Sequence, residues 1–318
     1  MAIAVAGCGA GDDSAALPID AGAAPDVTPR DATPRDATTP PATLDALPAS
    51  TFGYVRLAQW SADTPAIDFC LAPAGSGAFG SPLLSASFAP PSDGGSVGVP
   101  FQWASAYMRV ATGNFDVHLI AASSTDCASP LAELSGWTLT SDARSTLAAI
   151  GSSSSDTGTD SALRILPLGD DVTAPFVASE GGTGFTATAA LRFIQADPYL
   201  GEVTLWTGPI DTPFAPFKNV AFSSLSDTAT AGGPVDHNGY AAVPPLLPSD
   251  WLVTKGIYDS GMDYALLSGA AVAAGAVVTV ALVARPDASI EGGLPAQIVE
   301  CVDSSGTLGA LGNCTASP

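Results

Sequence analysis

The sequence predicts an all-β chain: two β-sandwich modules behind a disordered N-terminal linker. Three observations point there. Short stretches that alternate apolar and polar residues recur about every ten residues, the rhythm of a sandwich rather than of a helical bundle. The 33 glycines and 27 prolines interrupt any long helix and supply turns. Composition also changes abruptly near residue 50, from an aromatic-free polar tract to sequence able to build a core. With 318 residues, 47% hydrophobic and 13% charged, there is material for two domains and extensions.

The front end reads as export and tether. Within residues 1–8, Val5-Ala6-Gly7-Cys8 resembles the lipobox of bacterial lipoproteins, in which small residues precede a cysteine that is lipidated and becomes the mature terminus. The resemblance implies lipidation at Cys8, with the basic and apolar parts of the signal expected upstream of Met1. Residues 9–50 follow as a linker, in which Thr28-Pro29-Arg30-Asp31-Ala32 repeats as Thr33-Pro34-Arg35-Asp36-Ala37. Without aromatic residues this tract cannot offset the entropy of folding. As a coil it spans roughly 35 Å, enough to lift a domain off a membrane.

The first module is assigned to residues 51–160. Tyr54 to Trp60 alternates as a strand, Ser61 to Pro65 turns, and Ala66 to Leu71 alternates again with Ile67, Phe69 and Leu71 on one face. Ala106 to Val110 and Phe115 to Ile120 are expected as the arms of a hairpin turning at Ala111 to Asn114, and Gly136 to Thr140 with Ser145 to Gly151 as a further pair. Val55-Arg56, Ser61, Asp63 and Pro65-Ala66-Ile67-Asp68, followed by Tyr107, Val110, Gly113 and Phe115-Asp116-Val117, resemble the bacterial domain of unknown function 4397 over roughly residues 52–175. That resemblance implies an immunoglobulin-like sandwich outside the cytoplasm, often in tandem in lipoproteins, and transfers no catalytic residue.

The second module is assigned to residues 161–318. Leu163 to Leu168 is expected to open it. Ala190 to Pro198 then repeats Tyr54 to Asp63, with apolar–Arg–apolar followed by Gln three residues after the arginine, and Gly201 to Trp206 stands for Ala66 to Leu71. The region from Ala229 to Ser249 is taken as an insertion. Ala265 to Ala284 has no charge and is long enough to cross a bilayer. Its Ala/Gly richness, and the alternation of Val278, Val280 and Leu282, favour strands with a hairpin tip at Ala273 to Gly275. The tail from Val299 to Cys314 reads as a stapled hairpin.

Chemistry is sparse. With 10 Lys+Arg against 31 Asp+Glu, net −21, the chain repels phosphate backbones and anionic lipid, so nucleic acid is not expected as a partner. Leaving Cys8 aside, four widely spaced cysteines with no CxxC pair suggest two disulfides in an oxidising compartment. Cys70–Cys127 with Cys301–Cys314 is the favoured pairing among the three that four cysteines allow. His118 lies on a strand near Asp116 and His237 in a turn-rich loop, without a nucleophile or oxyanion site marked beside either. The acidic turns Asp170-Asp171 and Asp236-His237-Asn238 fit no calcium-loop pattern. No metal, cofactor or catalytic residue is assigned. Of the five tryptophans, Trp60 and Trp251 adjoin turns and are the candidates for ligand contact. The expectation is a non-enzymatic, lipid-anchored surface protein outside the cytoplasm, at the outer membrane or cell surface or in the periplasm. Its partners are the membrane and an envelope polysaccharide or protein. The alternatives are a carbohydrate-binding accessory module and a secreted hydrolase with an unfamiliar site.

Overall fold

A computed structural model describes residues 51–87, 98–154, 161–172, 189–208, 213–226, 231, 235–244, 246–255, 263–273, 275–286, 295–303 and 314–316. Cys8 and the linker lie outside these. The described chain is mostly strand with a single five-residue helix, and the all-β expectation holds.

The first half contains β1 (Phe52–Gln59), β2 (Ile67–Pro73), β3 (Met108–Ala111), β4 (Gly113–Ala121), β5 (Ala132–Leu139), β6 (Arg144–Ile150) and β7 (Arg164–Gly169), with one short helix, α1 (Leu83–Ser87). They form sheets ordered β3-β1-β6-β7 and β2-β4-β5. Val55, Leu57, Leu147 and Ile165 from one sheet meet Phe69, Val117, Leu119 and Trp137 from the other in a single apolar cluster. The second half contains β8 (Ala189–Gln195), β9 (Val203–Thr207), β10 (Phe214–Val220), β11 (Ala241–Val243), β12 (Leu246–Thr254), β13 (Asp263–Val272), β14 (Val277–Ala284), β15 (Ala296–Val302) and β16 (Cys314–Ala316). Its sheets run β11-β8-β14-β15-β16 and β10-β9-β12-β13, and enclose a second cluster around Phe193, Phe217, Trp251 and Val280.

The strand orders correspond. β3-β1-β6-β7 matches β11-β8-β14-β15, and the central pairs β1/β6 and β8/β14 are both parallel. β2-β4-β5 matches β9-β12-β13, with β10 and β16 as additions of the second half. The Gln clamp repeats as well. Gln59 donates to Thr64 O and Pro65 O and accepts from Ser61 N, while Gln195 donates to Leu200 O and Gly201 O and accepts from Asp197 N.

Several sequence expectations are corrected here. β7, expected to open the second module, instead pairs with β6 at the edge of the sheet that contains β1. β3 and β4 are not a hairpin: β3 pairs with β1, and β4 with β2 and β5. β5 and β6 likewise belong to different sheets, and so do β13 and β14. In each case the connecting residues carry the chain over the rim of a sandwich. Short alternating strands bury one face against the opposite sheet as readily as they pair with a sequence neighbour. The charge-free stretch is thus two strands, and among the described residues no helix is long and apolar enough to cross a membrane. Part of the supposed insertion is β11 and β12. The tail is a hairpin, with β15 antiparallel to β16.

Candidate functional site

β1, β6, β8, β14 and β15 are buried along nearly their whole length. Alternate residues explain this. Val55, Leu57, Leu191 and Phe193 face the sandwich interiors, while Ala58, Trp60, Ala148, Ile150 and Leu168 of the first half pack against Ile194, Ala196, Ala281, Val283 and Val299 of the second. The sheet containing β1 and the sheet containing β8 therefore stack back to back.

Within this contact sits a buried polar cluster, each half of which supplies an arginine, an aspartate, a threonine and a tyrosine. Arg56 of β1 pairs with Asp303, just beyond β15, and its Nε donates to Thr146 Oγ1 at 2.7 Å. Arg192 of β8 pairs with Asp170, just beyond β7, at 2.7 Å, and its Nε donates to Thr279 Oγ1 at 3.1 Å. Thr146 donates to Asp170 and Thr279 to Asp303, at 2.6 and 2.5 Å. Tyr107 OH donates to Asp170 and Tyr240 OH to Asp303, both at 2.8 Å. The guanidiniums of Arg56 and Arg192 lie over the rings of Tyr107 and Tyr240, at 4.9 and 4.4 Å. The arrangement is reciprocal: each half offers its arginine to the other half's aspartate, the intramolecular form of an isologous interface.

Electrostatics fix the protonation states. Burial alone would raise the Asp170 carboxyl, but the Arg56 and Arg192 charges and the bonds from Thr146 and Arg192 hold it below the ordinary carboxylate range. Burial works against both guanidinium charges, and the facing aspartates and tyrosines override it. Burial, then chiefly the neighbouring carboxylates, pushes the Tyr107 phenol up, and Tyr240 is raised by burial first, so both remain donors. All four charges are met inside the protein. The cluster is a joint between the halves, closed to solvent.

The residues singled out from sequence are distributed as follows. Cys70 pairs with Cys127 and Cys301 with Cys314. Trp60 and Trp251, taken as ligand-contact candidates, are corrected to core positions, 1% and 0% exposed. Trp60 N donates to Ala149 O, which continues the β1/β6 ladder and turns the indole into the contact between the halves. Trp251 faces inward from β12. Among the described residues the exposed large aromatic rings are instead Trp103 (46%), Tyr199 (61%) and Phe214 (36%).

His118 stacks on Phe79 with centroids 3.5 Å apart, its Nδ1 lies 2.9 Å from Cys127 O, and its Nε2 is 3.7 Å from Glu133. Asp116 accepts instead from Gly75 N and Gly136 N, and those two bonds hold its carboxyl low. Asp116 and His118 each fasten loops at the outer face of β4, and His118 adds only a smaller electrostatic pull on the Asp116 carboxyl. Asp170 and Asp171 are not a cation loop: Asp170 is in the joint, and Asp171 accepts from Arg144 N. Asp236 shapes its own turn, accepting from Asn238 N and Tyr240 N, with His237 exposed. No group of three His, Cys, Asp or Glu side chains able to hold a metal occurs among the described residues.

Sequence reasoning used Arg56 and Arg192 only as marks of a repeat. The available signal was the recurrence of an arginine at the same strand position in both copies, but a strand arginine can equally face solvent, as Arg109 of β3 does, so the partner became visible only in the fold.

No family model matches this chain, and no curated protein does. Among solved structures, the Bacillus anthracis TIE protein is similar over 73% of this chain and 34% of its own, at 8% identity and a TM-score of 0.17. A leucine-rich repeat protein from Bacteroides thetaiotaomicron VPI-5482 is similar over 72% of this chain and 26% of its own, at 12% identity and a TM-score of 0.17. The chain spans about a third or less of either structure's length.

Proposed function

We propose that the chain is a non-enzymatic, extracytoplasmic surface protein, anchored by a lipid at Cys8, in which two immunoglobulin-like modules serve a binding or structural role in the cell envelope. The observation that carries this reading is the pair of disulfides, Cys70–Cys127 and Cys301–Cys314, since such bonds persist in oxidising compartments. The matching strand orders support a tandem module. The joint supports a load-bearing body, because its buried charges are answered by one another. Partners, an envelope polysaccharide or a protein, then meet loops at the surface.

The test is the intact mass of protein isolated from its native cell, with and without reductant. The expected result is a lipid-sized increment on Cys8 and a gain of two hydrogens for each disulfide on reduction. An unmodified amino terminus with four free thiols overturns the reading.

Trp103 favours a second reading, a carbohydrate-binding accessory module. It is exposed on the loop before β3, and at the matching place before β11 the second half has Ser224: Gln59 N donates to Trp103 O, and the bridges Ala58↔Ala104 and Ile194↔Leu225 align the two loops. An indole that the fold does not require is available for stacking on a sugar face. Titration with envelope polysaccharide fragments should quench tryptophan fluorescence in the wild type and not in Trp103→Ala. Equal quenching in both rejects this reading.

A further inference from the structure

The two back-to-back sheets end differently on equivalent strands. In the first half the terminal strand is β7, and it carries Pro167. Asp170 N donates to Arg144 O at 2.8 Å, toward β6. Main-chain groups alternate sides along a strand, so residues 170 and 168 face β6 and Pro167 turns its nitrogen outward. That nitrogen has no hydrogen to offer, and the edge is blunted.

In the second half Asp303 N donates to Val277 O, also at 2.8 Å, and β15 keeps the same phase. Glu300 therefore occupies the place of Pro167, with an N–H directed outward. Along Ala296–Val302 there is no proline and no lysine, and most of the residues are buried. This edge is capped by β16, in the register Val299↔Ala316, Glu300↔Thr315 and Cys301↔Cys314. Three residues pair weakly by themselves. The disulfide between the directly opposed Cys301 and Cys314 holds them.

We propose that this disulfide is a redox-operated guard, and that its reduction frees β16 and lets the β15 edge pair with the β15 edge of a second copy of this chain. Both edges then present the same row of N–H and C=O groups, and antiparallel pairing about a two-fold axis is self-complementary. A dithiol supplies the electrons. Its thiolate attacks Sγ of Cys314, the less buried of the two residues, the S–S bond breaks, and Cys301 leaves as a thiolate that takes up a proton. The second thiol of the dithiol then closes on the mixed disulfide, releasing Cys314 as a thiol and the reagent as its cyclic disulfide.

The test is the mass of the full chain by size exclusion with light scattering, at moderate salt so that its net negative charge is screened. Relative to the oxidised chain, dithiothreitol treatment and the Cys301→Ser/Cys314→Ser variant should each double the mass or raise it further, while Cys70→Ser/Cys127→Ser should not. Adding Glu300→Pro to Cys301→Ser/Cys314→Ser grafts the first half's blunt edge and should restore the mass of the oxidised chain. The proposal is overturned if Cys301→Ser/Cys314→Ser keeps that mass, or if Cys70→Ser/Cys127→Ser associates equally. It is also overturned if Glu300→Pro leaves the association unchanged, since the cause is then loss of fold rather than the edge.

Discussion

Asp197, just after β8, is buried, donates its N–H to Gln195 Oε1 at 2.7 Å and accepts from Tyr199 N at 2.8 Å. Burial pushes its carboxyl up to about 6, against the opposing pull of the Tyr199 and Leu200 amides. The folded state therefore binds a proton that the unfolded chain, with a carboxyl near 4, releases earlier. Between about pH 4 and 6 this residue makes stability fall as pH rises, and at neutral pH its ionisation costs on the order of 2 kcal/mol. Asp197→Asn keeps the acceptor and removes the charge. It should raise stability by about 1–2 kcal/mol at pH 7 and leave it unchanged below about pH 4, measured by urea unfolding at both. Among the described residues the buried indole N–H groups of Trp60 and Trp251 meet no hydrogen-bond acceptor. Replacing Trp251 by Phe deletes an unanswered donor along with part of the ring, so it should cost less than about 2 kcal/mol, whereas Trp251→Ala should cost about 3–5 kcal/mol. A loss in Trp251→Phe as large as that expected for Trp251→Ala would show that removing the unpaired donor brings no relief to offset the lost ring area.

The Cys70–Cys127 disulfide closes a loop of 57 residues between β2 and the segment after β4. Together with Phe79 and Ile120 it forms a small apolar patch on the outer face of the β2-β4-β5 sheet. The chain-entropy account gives such a loop about 4 kcal/mol. Cys70→Ser/Cys127→Ser should lose up to that amount in urea denaturation and should loosen the Phe79–His118 stack, visible as changed His118 ring shifts in NMR. At this scale much was readable beforehand. The alternation of Tyr54 to Gln59 and Ile67 to Leu71 located β1 and β2, and the cysteine spacing favoured the observed pairing. The Arg-to-Gln spacing aligned β1 with β8. What alternation does not encode is which sheet receives each strand, so β3 with β4, β5 with β6 and β13 with β14 were taken as hairpins although the chain changes sheet between them. Nor does local pattern report burial on a second face: the turn beside Trp60 suggested exposure, but a second sheet covers it. Asp170 looked like half of a solvated acidic pair because the arginine that explains it lies in the other half of the chain.

The stacked sheets should make the two halves unfold together. Calorimetry of the oxidised chain should give a single transition. Asp303→Asn, which leaves the buried Arg56 without its full counter-charge, should cost about 3–5 kcal/mol and split that transition in two. One undivided peak in this variant would mean that the apolar contact alone couples the halves. Acid should act through the same joint. Asp170 has a depressed carboxyl, so its contribution is complete above the unfolded value near 4 and is lost as pH falls further. Arg56→Met combined with Asp303→Leu should be better tolerated than either single change, because no lone charge remains inside. The reciprocity of the joint also bears on biosynthesis. Arg56 and its aspartate are 247 positions apart, so the first half leaves the ribosome long before the residue that neutralises it. Until the last sheet arrives, the nascent first half presents a bare apolar sheet face with a charged centre. The interval before β15 docks is therefore when that face is most open to association with other chains.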